Sequence, residues 1–288
     1  MNTFLEKLKD IGELIVAKHS IFSLPFIFVA MIVGSYIQSG SAWFGWKLLI
    51  LGLLCTISAR NFAMGLNRYL DKDIDALNPR TASRPSVDGR IGAKNLLIFI
   101  GINAFIFVLV AYFINDLAFL LSLPILFILG IYSYIKRISP LAHLVLGMSL
   151  GLAPIAGAIA VTNDIPLWAF ILSIGVMFWV AGFDLLYSLQ DIEFDKNHKL
   201  HSIPSHFGQK CTFFVSQIFH ALSILFWSLF VGLAGLGCWA WMGIFVSGII
   251  LWKEHEIVNK DFSKIDRAFF TLNGYLGIIF FILIWLDL

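Results

Sequence analysis

Apolar runs of bilayer length recur along this chain from end to end, and they leave few folds open. Lipid offers the backbone no hydrogen-bond partner, so a spanning segment must be a helix or part of a closed barrel. A helical span takes roughly 20 predominantly apolar residues. Of the 288 residues 59% are hydrophobic and only 13% charged, whereas a soluble domain usually carries about 25% charged residues. The reading is an all-α polytopic membrane protein, expected to place its helices around a central cavity. Breaks at polar and Gly/Pro clusters give nine candidate spans, near 20–37, 45–67, 95–114, 117–135, 140–161, 166–190, 212–232, 235–253 and 267–286. The leading segment "MNTFLEKLKDIGELIVAKHS" has no short apolar core followed by a small-residue cleavage site. It reads as a cytoplasmic amphipathic lead-in, not a signal peptide.

The count of nine can be tested against charge. With the N-terminus inside, the cytoplasmic segments hold Lys7, Lys9, Lys18, Arg68, Lys72, Arg80, Arg84, Arg90 and Lys94. They also hold Lys136, Arg137, Lys196, Lys199, Lys210, Lys253, Lys260, Lys264 and Arg267. Only Lys47 falls outside, and Arg60 lies within a span. This is the positive-inside asymmetry, and one span more or fewer would scramble it. The C-terminal "IWLDL" is then on the far side. The net charge of +2 gives no sign of nucleic-acid binding. Cys55, Cys211 and Cys238 are scattered and suggest neither a disulfide framework nor a zinc site.

Two cytoplasmic segments, 68–94 and 191–211, are unusually long and polar, and they resemble each other. An offset of 120 sets Asn67, Asp71 and Asp75 against Tyr187, Asp191 and Asp195. In the loops that follow, an offset of 119 sets Asn78, Arg80, Ser83, Pro85, Ser86 and Gly89 against Asn197, Lys199, Ser202, Pro204, Ser205 and Gly208. The chain reads as a single domain, 1–288, with a pseudo-repeat whose motifs lie near 67–89 and 187–208. Repeats in membrane proteins bring matching elements to one site, so two acidic helix ends are expected to face each other.

Positions i and i+4 share a helix face, so Asn67, Asp71 and Asp75 form one stripe and Tyr187, Asp191 and Asp195 a second, with Asp184 and Gln190 nearby. Acids at the membrane rim usually pair or bind cations. Hard oxygen ligands in this number suit Mg²⁺, which also takes substrate phosphates as ligands. Asn67, Asp71, Asp75, Asp191 and Asp195 are therefore candidate metal ligands for holding a diphosphate. The bland alternative is a solvated helix end, with Asp71, Asp73 and Asp75 paired to Lys72 and Arg80; duplication of the stripe argues against it. Asp73 and Glu193 point off the stripes, and for them solvation is the reading.

Lys136 and Arg137 in "YSYIKRIS" either anchor the fourth span or contact phosphate. Arg60 lies seven residues before Asn67, two turns deeper on nearly the same face. A buried Arg needs a partner, one of the acids or a substrate carboxylate. Arg80 and Arg84 could close over a diphosphate or simply be solvated. The histidines show no ligand spacing: His198, His201 and His206 read as loop polarity, His143 and His220 as packing residues.

"NRYLDKDIDALNPRTASRP" followed by "DLLYSLQDIEFD" resembles the two aspartate-rich motifs of the UbiA superfamily of intramembrane prenyltransferases. The resemblance covers essentially the whole chain, with "YSYIKRIS" between the motifs. "NPRTASRP" and "YSLQDIEFD" are most similar to the 4-hydroxybenzoate polyprenyltransferase branch. "HSIPSHFG" is similar also to its menaquinone-pathway relatives, which prenylate a dihydroxynaphthoate. Arg68 stands where many relatives have Asp, which reads as loss of one optional acid. The resemblance implies Mg²⁺-dependent transfer of a polyprenyl group from its diphosphate to an aromatic acid acceptor in respiratory quinone biosynthesis. Asp71, Asp75, Asp191 and Asp195 would be catalytic through the metal, and Tyr187 would stabilise an allylic cation by its ring face. Asn67, Lys136, Arg137, Asp184 and Arg80 would bind substrate, and Arg60 would orient the acceptor carboxylate. The implied location is a bacterial inner membrane, with the lipid bilayer as solvent for the prenyl tail and the site facing the cytoplasm. A secondary transporter of an anionic substrate is the rival from another class, but it leaves the clustering of the stripe residues at one membrane face unexplained. A CDP-alcohol phosphotransferase would need one tight acidic motif with an internal Asp-Gly, which is absent.

Overall fold

The computed structural model describes residues 2–15, 24–261, 265 and 268–288. Lys18, Lys264 and Arg267, read above as cytoplasmic, lie outside the described residues, as do the starts of the first and last expected spans. The described chain is helical: α1 (Asn2–Leu14), α2 (Leu24–Ser39), α3 (Trp46–Leu70), α4 (Lys72–Leu77), α5 (Ala93–Ile114) and α6 (Asp116–Ile135). There follow α7 (Ala142–Thr162), α8 (Leu167–Tyr187), a 3₁₀ turn (Ser188–Asp191), α9 (Ile192–Asn197), α10 (Ile203–Leu233) and α11 (Cys238–Lys260). A π turn (Ala268–Leu272) leads into α12 (Asn273–Leu286). A helix runs along each expected span where the chain is described. Six helical segments, Trp46–Leu70, Ala93–Ile114, Asp116–Ile135, Ala142–Thr162, Leu167–Asn197 and Ile203–Leu233, are long and apolar enough to cross a membrane. Leu120, Phe127 and Phe105 leave 70%, 69% and 67% of their surface uncovered, which suits lipid and not water. This is an integral membrane protein.

The described residues divide into two compact units: those within Met1–Ser20 with Leu49–Tyr134, and those within Ile21–Leu48 with Ile135–Leu288. In the first, Leu14, Leu96 and Ile100 form a small core with Phe62, Leu66 and Phe99. Asn61 ties α3 to α5 by donating to the Asn103 amide oxygen at 3.0 Å. Two guanidinium groups, the half-buried Arg60 and the buried Arg68, meet the end of α1: Arg60 donates to the Ile15 carbonyl (3.3 Å) and Arg68 to the Leu14 carbonyl (3.3 Å). Cations at a helix C-terminus satisfy carbonyls that have no intrahelical partner.

Arg90 clamps the other side of α1, reaching Asp10 (2.9 Å), Glu13 (2.8 Å), Asp88 (2.7 Å) and the Ser83 carbonyl (2.8 Å). The hydrogen bond from Arg90 holds the Glu13 carboxyl below its ordinary 4.5, and Arg90 together with its backbone N–H holds Asp88 below 3.8. A carboxyl depressed on folding adds stability above its ordinary value and loses it as pH falls through the depressed one. The clamp should therefore hold at neutral pH and release only below those values, or earlier in high salt because it is exposed. Proteolysis of the α1 segment across a pH series checks this; release already between pH 6 and 5 would count against the clamp.

The second unit is held by close helix approach and a buried polar chain. α7 is rich in small residues, and at Gly151 an added methyl would sit 2.9 Å from the Ser173 carbonyl of α8. At Gly147 it would be driven into the Met177 carbonyl, and at Gly157 into the Ile27 carbonyl of α2. Small residues allow such contact where the hydrophobic effect does not press helices together. Phe26, Trp179, Trp227 and Phe280 stack at the centre of this unit with centroids 5.0–6.0 Å apart. Some buried polar groups there are joined in series: Trp179 Nε1 donates to Asn273 Oδ1 (2.7 Å), and Asn273 Nδ2 to Glu254 Oε1 (2.8 Å). His220 meets His255 at 2.9 Å, in keeping with its reading as a packing residue.

The segment 191–211 is more ordered than a polar loop. Ser202 and Ser205 form a reciprocal capping box, with proline in the first turn of α10, so a helix starts well before the apolar run does. Gly208, at φ 76° and ψ 174°, kinks α10 just ahead of the expected start at 212.

Candidate functional site

In the first unit the hydrogen-bond ladder runs on through the motif: Asp71 N–H donates to the Asn67 carbonyl (2.9 Å) and Asp75 N–H to that of Asp71 (2.7 Å). Asn67, Asp71 and Asp75 therefore keep one face, and Asp71 and Asp75 are only 2% and 4% exposed. Asp73 points outward and is exposed, as expected. Asn67 Nδ2 donates to Asp71 Oδ2 (3.0 Å) and to Ser133 (3.2 Å), while its Oδ1 accepts from Arg68 (2.9 Å). Arg68 thus fixes which end of the amide faces Asp71, a role that its reading as a lost acid missed. Arg84 donates to both Asp75 oxygens at 2.6 Å, while Thr81 caps the Asp75 carbonyl at 2.9 Å. Arg80 is exposed, its backbone N–H donating to Asn78 in a local turn (3.0 Å).

The second unit carries the matching motif with a different local build. α8 stops at Tyr187, and the 3₁₀ turn carries the chain to Asp191. With about 3 residues per turn instead of 3.6, Asp191 is rotated relative to Tyr187, so the second stripe is not a continuous α-helical face. The caps match closely: Asp71 has φ −92°, ψ 5° before α4, and Asp191 has φ −103°, ψ 6° before α9. Gly89 and Gly208 both take positive φ, 91° and 76°, a region that suits glycine. Two of the offset pairs found in sequence are thus also backbone pairs, whereas Arg80 and Lys199 are not, since only Lys199 takes a positive φ, 55°. Asp195 accepts from Ser202 at 2.7 Å and lies in the field of Asp191, Lys136 and His143. The Lys136 carbonyl accepts from the His201 N–H at 2.9 Å, which draws the loop before α10 to the end of α6. Arg137 and Tyr187 are half-buried. Asp184, on α8, pairs with His143 on α7 at 2.7 Å.

Among the described residues no three His, Cys, Asp or Glu side chains are gathered into a ready metal cage. The donor set nevertheless suits a hard divalent cation: the carboxylates come in pairs one turn apart, and Asp75 already holds a cationic group on both oxygens. The Asn67 Oδ1 keeps a second lone pair beside the bond that it accepts from Arg68.

A family model matches residues 25–284, and it is that of the UbiA prenyltransferase family. The chain belongs to that family. The expected fold family and enzyme class are both met. It is 28% identical over 244 residues to a 4-hydroxybenzoate octaprenyltransferase of Aromatoleum aromaticum, covering 83% of this chain and 81% of that one. Its counterpart in Yersinia enterocolitica is 27% identical over 248 residues, covering 84% and 83%. Among solved structures, the apo form of a UbiA homologue from Aeropyrum pernix K1 matches with a TM-score of 0.83 at 32% identity, covering 93% of this chain and 98% of that one. A UbiA homologue from Archaeoglobus fulgidus, bound to DMAPP and Mg²⁺, shares the fold with a TM-score of 0.76 at 19% identity, covering 96% and 98%.

Proposed function

We propose that this UbiA-family protein transfers a polyprenyl group from polyprenyl diphosphate to a 4-hydroxybenzoate-type aromatic acid, with Mg²⁺ as cofactor, in respiratory quinone biosynthesis. The observation that carries this reading is the duplicated acid motif, in which Asp71 and Asp191 cap short helices with the same backbone angles. Magnesium, when bound, would neutralise the diphosphate and ease its departure. Asp71 and Asp75, with Asp191 and Asp195, are the ligands; Asn67 supports them through its hydrogen bond to Asp71. Arg84, already on Asp75, brings a guanidinium to that carboxylate as a further charge for the diphosphate, and Lys136, Arg137 and Arg80 add to it. The half-buried Tyr187 offers a ring face to the allylic cation, and Asp184 and Arg60 serve the acceptor. The whole of 1–288 acts as a single domain of nine spans, in a bacterial inner membrane, with the N-terminus and both acid motifs on the cytoplasmic side and the C-terminus opposite.

Purified protein given polyprenyl diphosphate and 4-hydroxybenzoate should release diphosphate and form a C-prenylated acid, and a chelator should stop both. A faster reaction with 1,4-dihydroxy-2-naphthoate would move the reading to the menaquinone branch, which "HSIPSHFG" favours equally. Accumulation of an anion in proteoliposomes without any prenylation would support a transporter instead. Arg60→Ala should raise the acceptor KM by about 10–100-fold, the worth of a charged hydrogen bond, with catalysis retained. An unchanged acceptor KM would remove Arg60 from the acceptor site.

A further inference from the structure

We propose that His143, held by Asp184, is the base that removes the ring proton from the acceptor after prenylation; this rests on the prenyl-transfer reading above. The two side chains come from different helices, His143 from the first turn of α7 and Asp184 from the last turn of α8. His143 Nδ1 and Asp184 Oδ2 are 2.7 Å apart. An ionised carboxylate can only accept hydrogen bonds, so the proton of that bond sits on Nδ1. Nε2 is then the imidazole's lone-pair atom, and it is buried with no hydrogen-bond partner. The residue is 6% exposed, and leaving a buried acceptor unsatisfied is costly. A plain tie between α7 and α8 does not require such an atom, because a serine hydroxyl could donate the same bond without leaving a buried nitrogen lone pair.

The position suits the chemistry. Asp184 precedes Asp191 by seven residues, about 10 Å along a helix axis, on the membrane side of the acid motif. The prenyl C1 of a diphosphate held at the motif would lie in that direction. Carboxylate, imidazole and reacting atom in sequence is the general-base arrangement, in which the acid fixes the tautomer and stabilises the imidazolium.

The step balances as follows. The ring carbon ortho to the acceptor hydroxyl bonds to C1 as the C1–O bond breaks, and diphosphate leaves with the electron pair. The hydrogen on that ring carbon passes as a proton to His143 Nε2, and its C–H electrons restore the aromatic ring. The imidazolium is held against Asp184 and returns the proton to departing diphosphate or to water.

The test compares an acceptor acid carrying hydrogen or deuterium at both ring positions ortho to the hydroxyl, with wild type, His143→Gln and Asp184→Asn. Gln keeps a hydrogen bond to Asp184 but has no basic atom; Asn removes the charge that fixes the tautomer. Wild type should show little isotope effect. Both variants should show a primary effect on kcat, with kcat lowered by about 10²–10⁴-fold in His143→Gln and KM for the diphosphate unchanged. Thermal unfolding of each variant is run alongside. A His143→Gln enzyme with wild-type kcat overturns the proposal, and so does a slowed one without an isotope effect, which would mark a structural tie. Wild-type protein that makes no C-prenylated acid overturns the function reading itself, and this inference with it.

Discussion

Asp71→Ala and Asp191→Ala should each lower prenyl transfer by about 10²–10³-fold, the usual loss when one charge-stabilising group leaves an active site. Folding should survive both changes. Asp71 is 2% exposed, and alanine there removes both the desolvation of a buried carboxylate and its hydrogen bond from Asn67, effects of opposite sign. Asn67 Nδ2 keeps Ser133 as a partner. The signature is therefore lost activity with an unchanged or raised melting temperature, and a right-shifted Mg²⁺ requirement wherever residual rate can be measured. The double variant should be little worse than either single one, because groups that act as a unit do not add. Asp73→Ala, at an exposed position between two buried acids, is the control and should behave as wild type. Diphosphate release and product formation measured against Mg²⁺ concentration check all four proteins. Full activity in Asp71→Ala and Asp191→Ala would sink the two-motif mechanism, and loss in Asp73→Ala would show that the stripe is wrongly drawn.

The spans and the repeat were legible because each depends on chain-local information. Bilayer-length apolar runs give helices at the expected places, and a fixed offset gives pairs such as Asp71 and Asp191 that share backbone angles. What escaped the sequence depends on partners far along the chain. Arg68 reaches the Leu14 carbonyl across 54 residues and reads Asn67 beside it; no spacing signals the first of these bonds. His143 and Asp184 are 41 residues apart on different helices, so periodicity could place each on its helix but could not pair them. Arg60 likewise meets the Ile15 carbonyl at the end of α1, 45 residues away, a contact that no spacing signals. The early start of α10 is a different case. Its Ser202–Pro204–Ser205 cap was present in the sequence, but a hydropathy reading sets a helix boundary where apolar residues begin, and a capped polar first turn lies outside that criterion.

Gly147→Leu should cost stability and activity together, since one close contact positions the two helices that bring the proposed base His143 to Asp184. Even a methyl at Gly147 would collide with the Met177 carbonyl of α8, with Ala181 Cβ only 3.2 Å away. A helical carbonyl cannot rotate aside without giving up its own hydrogen bond, so the accommodation is movement of α7 away from α8. Overpacking of this kind costs about 1–3 kcal/mol, or roughly 2–5 °C of melting temperature in a chain this long. His143 lies one turn before Gly147 on α7, and its 2.7 Å contact with Asp184 on α8 cannot survive a separation of the helices by an ångström or more. The loss of activity should therefore exceed what the unfolded fraction explains, and at 20 °C, well below the melting point, it should resemble that of His143→Gln. Gly101→Leu is the matched control: it too is a helix-interior glycine, but a side chain there meets nothing within 4 Å. Removing a helix glycine is worth up to about 1 kcal/mol in helix propensity, so this variant should be as stable as wild type or slightly more so. A Gly147→Leu protein that melts with wild type would mean that α7 and α8 do not approach as closely as these residues require, and the pairing of His143 with Asp184 would lose its scaffold.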